Sequence, residues 1–107
     1  MYEILDLLKL LKQNYLVFIG AKSLNRLAMF ISGYAYCIYK NKGENLCFFR
    51  EFQEYIQNKY NIQTSQNWSR IIEFFSQTDE EAFDTFYKLL DEFLIDNPNY
   101  IEKPNKD

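Results

Sequence analysis

The sequence predicts an all-α fold, a single-domain bundle of about five helices. Three observations carry that prediction. Apolar residues recur at helical spacing in five separate stretches. The ends of those stretches carry helix-capping residues such as Ser23, Thr78 and Gly43. The connections are short, with no internal repeat and no low-complexity linker, so a chain of 107 residues makes one domain. At that length it can bury a core without metal or disulfide staples.

The first predicted helix runs from about Tyr2 to Gln13, where Ile4, Leu7, Leu8 and Leu11 form a stripe. Leu5 and Leu10 widen it, which implies burial on two sides. Tyr15-Leu16-Val17-Phe18-Ile19 is continuously apolar and ends at Gly20, and the expectation here is a buried extended connector. Ser23 caps a second helix to about Asn41, with Leu24, Leu27, Ala28, Ile31, Tyr34, Ala35 and Ile38 on one face. Gly33 interrupts it at a cost of about 1 kcal/mol against alanine, for which close helix packing is the expected reason. Lys40-Asn41-Lys42-Gly43 supplies a basic last turn and a glycine exit.

The third helix is expected from about Asn45 to Tyr60, carrying Phe48, Phe49, Phe52, Tyr55 and Ile56. Thr64 and Ser65 are the candidate caps of a fourth, in which Trp68, Ile71, Ile72 and Phe75 follow the i, i+3, i+4, i+7 rule. Thr78 and Glu81 form a capping box at the start of the fifth. Its inner face is Ala82, Phe83, Phe86, Leu89, Leu90 and Phe93, and Asp96-Asn97-Pro98 stops it. The expected organisation is a helical domain over residues 1–97 and a polar, loosely held tail over 98–107.

Composition excludes several function classes. There is no histidine, which removes Ser–His–Asp and Cys–His arrangements, His-ligated zinc and histidine acid–base work together. Cys37 and Cys47 match no redox or zinc spacing, and both stand among apolar neighbours, so they read as small buried hydrophobes in a reduced compartment. Three glycines at 20, 33 and 43 cannot build a phosphate loop. Carboxylate pairs such as Glu51 with Glu54 and Asp91 with Glu92 lack the histidines of a di-iron bundle. No lysine or tyrosine is set apart as an acid or base. The expectations are therefore no enzymatic activity, no catalytic residue, no cofactor and no metal. Twenty aromatic residues invite a base-stacking reading, but an acidic chain of net charge −3 offers no basic groove beside them, and no nucleic-acid partner is expected. The uncharged stretch Leu27–Tyr39 is too short to span a bilayer, and Glu3 and Asp6 precede any basic residue, unlike a secretory signal. No membrane partner and a cytoplasmic location are expected.

Charge is unevenly placed. Residues 1–72 carry nine bases against five acids, whereas residues 73–107 carry three bases against ten acids, a net +4 and −7. Acids at 79–81 suit a helix N-terminus. Asp84, Asp91, Glu92 and Asp96 lie beyond that turn and imply either solubility or an acidic partner-binding face. The candidate contact residues are Glu80, Glu81, Asp84, Asp91 and Glu92.

Five segments also occur in a familiar order: Ile19-Gly20-Ala21-Lys22-Ser23-Leu24, Ser32-Gly33-Tyr34, Phe52-Gln53-Glu54-Tyr55 with Lys59-Tyr60, Thr64 to Ile72, and Phe86 to Phe93. Together, over about residues 14 to 94, they resemble small helical bacterial proteins, some of them immunity proteins of contact-dependent or polymorphic toxin systems. Thr64-Ser65-Gln66-Asn67-Trp68 and Leu89 to Phe93 through Leu90-Asp91-Glu92 are the most specific parts. Where that group has a Pro-Gly turn, this chain has Tyr15-Leu16-Val17-Phe18. The resemblance implies a cytosolic immunity protein that neutralises a cognate toxin by stoichiometric binding, and it carries over no contact site; the acidic face suits a basic toxin, as many nuclease toxins are. The rival reading is a non-enzymatic adaptor or regulatory protein that binds through a helical surface.

Overall fold

The structure, a computed structural model, describes residues 3–43 and 47–100. The expected helix starts at Tyr2 and Asn45, and residues 101–107 of the expected tail, lie outside them. The elements are α1 (Glu3–Gln13), α2 (Tyr15–Phe18), α3 (Leu24–Lys42), α4 (Cys47–Tyr60), α5 (Trp68–Phe74) and α6 (Asp79–Asp96), then a 3-10 turn at Pro98–Tyr100. No strand occurs among the described residues. The fold is an all-α bundle.

α6 organises it. This helix buries Ala82, Phe83, Phe86, Leu89, Leu90 and Phe93, the full expected inner face, together with Tyr87. It packs against α3 and α5, and α5 in turn against α4. The Tyr87 hydroxyl donates to the Leu8 carbonyl at 2.7 Å and so ties α1 to α6. The centre is aromatic. Phe52, fully buried, meets Trp68, Phe86 and Phe93 edge-on with centroids 5.5, 5.7 and 5.5 Å away. Edge-to-face contacts of this kind add to what ring burial already contributes.

Local chemistry explains the helix ends. Ser23 Oγ accepts from Arg26 N at 3.0 Å, and Thr78 Oγ accepts from Glu81 N at 3.0 Å. Glu81 reaches back to Gln77 N at 2.6 Å, one residue before the cap. α3 ends at Gly43, whose φ of 68° lets its N–H reach the Tyr39 carbonyl at 2.8 Å. α4 ends with Asn61 at φ 55°, the Asn61 and Ile62 amides donating to the Asn58 and Gln57 carbonyls in a Schellman pattern.

Several expectations are corrected. Residues 15–18 are a helical turn, and Leu16, Val17 and Phe18 are exposed: only Tyr15 turns inward, edge-on to Phe83. Leu10 is exposed as well, so α1 is not buried on both sides. α3 buries only Leu24, Leu27 and Ile31; Tyr34, Ala35 and Ile38 are half-buried because the core ends beneath the first half of the helix. Gly33 faces open space, with nothing within 4 Å of the place a Cβ would take, so it serves no close packing. Both cysteines are exposed. α5 is capped by Asn67, not by Thr64 or Ser65, and Phe75 leaves the core to stack on Tyr60 at 4.6 Å. The structured chain passes residue 97, because Tyr100 is buried against Phe48 and Phe93 at 5.1 and 5.7 Å.

Candidate functional site

The five acids singled out by sequence lie outward or on the shoulders of α6, since its opposite side is fixed in the core. Their surroundings differ. Asp84 forms an ion pair with Lys22 at 3.2 Å, and Glu92 one with Lys59 at 2.9 Å. The Asp84 hydrogen bond and charge hold the Lys22 ammonium above its ordinary range. Its hydrogen bond to Lys59 holds the Glu92 carboxyl below its ordinary range, and the same contact raises Lys59. Glu81 is spent on the Gln77 amide. Glu80 and Asp91 are exposed and enter none of the ion pairs among the described residues. Asp79, at the first position of α6, accepts from Ser23 Oγ and, at 3.1 Å, from Asn25 N, so it caps α3 from across the bundle.

Asp84 and Asp91 also border an open groove of about 400 Å³ shared with Lys12, Lys22, Lys88 and Tyr87. Three ammonium groups against two carboxylates make this side of α6 mixed in sign. The purely acidic part of the face is smaller than the sequence implies, and it is centred on Glu80 and Glu81. Lys12 lies 5.5 Å from the Tyr87 ring centre, a cation–π contact, and Lys22 5.9 Å from that of Tyr15. Ion pairs on a solvated surface add little to stability. What the arrangement offers is patterned charge on a rigid helix, suited to recognising a polar surface.

Among the described residues no three His, Cys, Asp or Glu side chains gather as a metal-binding group would. No helix there is long and apolar enough to cross a membrane. Sequence reasoning missed the exposed apolar residues Leu16, Val17, Met29 and Phe74. The one signal for the first two was their bracketing by Asn14 and Gly20, both turn formers, with only five residues between them.

These features define a small all-α domain with charged and apolar side chains displayed on fixed helices. Comparison with family models, with curated proteins and with solved structures found no match.

Proposed function

We propose that this chain is a non-enzymatic protein-binding domain, an immunity protein that neutralises a cognate toxin by stoichiometric binding. The observation that supports this reading most is the outer face of α6. Glu80, Glu81, Asp84, Asp91 and Glu92 stand there on a helix whose other side is immobilised by buried rings. A rigid face loses little freedom on binding, which removes one of the main costs of association. Complementary charge speeds the encounter with a basic partner and disfavours wrong ones.

The test starts with co-purification of the partner from the native host and expression of any toxin domain encoded directly upstream. Glu80→Lys with Asp91→Lys is the informative variant, because neither residue forms an ion pair among the described residues, unlike Asp84 and Glu92. The double variant should melt like the parent, associate roughly tenfold more slowly at low salt, and show a weaker salt dependence. Wild-type protection, association rate and salt dependence would exclude the α6 face as the docking surface. The exposed apolar side chains of α2 favour a second reading, an adaptor that docks through them. An enzyme operon around the gene, in place of a toxin domain, supports that alternative.

A further inference from the structure

α2 exposes three large apolar side chains in succession, Leu16, Val17 and Phe18, at 68%, 80% and 40% of their full surface. Phe30 of α3 meets Phe18 edge-on at 6.3 Å, so the apolar surface passes from one helix to the next. Along α3, Arg26, Met29, Gly33, Tyr36 and Lys40 share the side opposite the buried Leu24, Leu27 and Ile31. Met29 and Tyr36 are themselves 66% and 63% exposed, and Gly33 between them has no neighbour. The result is an apolar strip with Lys40 at one end and, at the other, Arg26, whose Nη1 donates to the Ile19 carbonyl at 2.9 Å and so stands beside α2.

Charge identifies what covers it. Residues 7–43 hold six cations and no carboxylate. Asp79 and Asp84 of α6 are already engaged by Ser23, Asn25 and Lys22, and Glu3 of α1 bears on Tyr34, which is on the half-buried side of α3 and off the strip. The occupant is therefore anionic. A second copy does not qualify, because a two-fold pairing centred on Gly33 sets Arg26 and Lys40 against each other or against themselves. Consecutive helical residues point about 100° apart, so Leu16, Val17 and Phe18 fan around the turn. A protein groove would have to enclose that turn from several sides, whereas a fluid acyl layer receives all three at once.

We propose that α2 and the outer strip of α3 form a peripheral docking surface for an anionic lipid bilayer. Leu16, Val17 and Phe18 enter the boundary between headgroups and acyl chains, and Arg26 and Lys40 lie at the phosphates. The expectation of no membrane partner rested on the lack of a bilayer-spanning stretch, which does not bear on a turn that lies at the surface of a bilayer. The surface is separate from the acids of α6, and its test needs no toxin.

The experiment is cosedimentation of the full chain with phosphatidylcholine vesicles, with and without phosphatidylglycerol, at low and high salt. Partition onto the phosphatidylglycerol vesicles, weakened by salt and absent from phosphatidylcholine alone, is the expected result. Leu16→Ser with Val17→Asp should reduce it by at least about tenfold, with the far-UV spectrum and melting temperature unchanged. Lys40→Glu, a single exposed change at the far end of α3, should reduce it about fivefold or more and carries the test by itself if the double variant fails to fold. Failure to partition onto phosphatidylglycerol, or equal partition onto both vesicle types, overturns the proposal. A dimer that Val17→Asp dissociates, or retention on immobilised polyglutamate without vesicle binding, overturns it in favour of a second copy or an acidic protein.

Discussion

Tyr87 shows how one residue can join two distant parts of the chain. Its ring is buried against Phe83 and Phe86, and its hydroxyl bonds to the Leu8 carbonyl. Tyr87→Phe keeps the ring and removes the bond, so it should cost about 0.5–1.5 kcal/mol in denaturant titration. Burial pushes the Tyr87 phenol far above its ordinary 10.0. A folded-state value raised in this way leaves stability intact below the unfolded value and erodes it as pH rises beyond that. Stability should thus decline above about pH 10, and less steeply in Tyr87→Phe. Helical spacing named Trp68 and Phe86 as core residues, because a face of several apolar residues leaves only one side to bury. The cysteines were misread because apolar neighbours in sequence lie about 100° away on a helix and do not report a residue's own side. Both Cys37 and Cys47 should therefore react with a thiol reagent in the folded chain at the rate of exposed thiols.

Among elements, the loop from 62 to 67 and the start of α5 were the least legible, because their hold comes from α4. Gln53 accepts from Trp68 N at 2.6 Å and donates to the Gln66 carbonyl at 2.7 Å. Gln57, one turn on, donates to the Thr64 carbonyl at 2.6 Å. The two glutamines hold the loop against α4, which carries the cap past Thr64 and Ser65 to Asn67, whose Oδ1 accepts from Ser69 N at 2.9 Å. No local rule for capping contains that information. Gln53→Ala leaves the half-buried Trp68 amide without its acceptor and should cost about 1–3 kcal/mol, whereas Gln57→Ala, at an exposed bond, should cost about 1 kcal/mol or less. Equal effects in thermal or chemical denaturation would mean that the loop is held elsewhere. By contrast, α6 was legible from Thr78 to Asn97 because its caps, its stripe and its stop are all written within one continuous segment. α2 was not: an apolar run of five residues reads as buried until the fold places it at the turn between two longer helices.

For the whole molecule, the bundle closes at the end of α6, where the chain turns back through Pro98–Tyr100. Asn97 Nδ2 donates to the Phe93 carbonyl at 2.9 Å, and the turn then swings the Tyr100 ring against Phe48 and Phe93. The Tyr100 hydroxyl donates to Glu51 of α4, so α4 and α6 are bridged at one end by this ring and farther along by the Lys59–Glu92 pair. A proline after a helix is a sound stop signal, but whether the chain leaves the body or folds back depends on a space that only the assembled α4 and α6 create. That is why the polar composition of residues 98–107 concealed Tyr100 as a core residue. The two possible ends of the domain predict different stabilities. A chain ended after Pro98 or Asn97 lacks Tyr100 and exposes the faces of Phe48 and Phe93; loss of a buried ring of this size costs about 3–5 kcal/mol, a large part of the total stability of a small domain. A chain ended after Tyr100 retains every contact described here and should melt within a few degrees of the full length. Tyr100→Phe separates the two contributions: it keeps the ring and removes the hydroxyl that donates to Glu51, so its melting temperature should lie much nearer the 1–100 chain than the 1–97 chain. Equal melting of the 1–97 and 1–100 chains would place Tyr100 outside the core and return the domain boundary to residue 97.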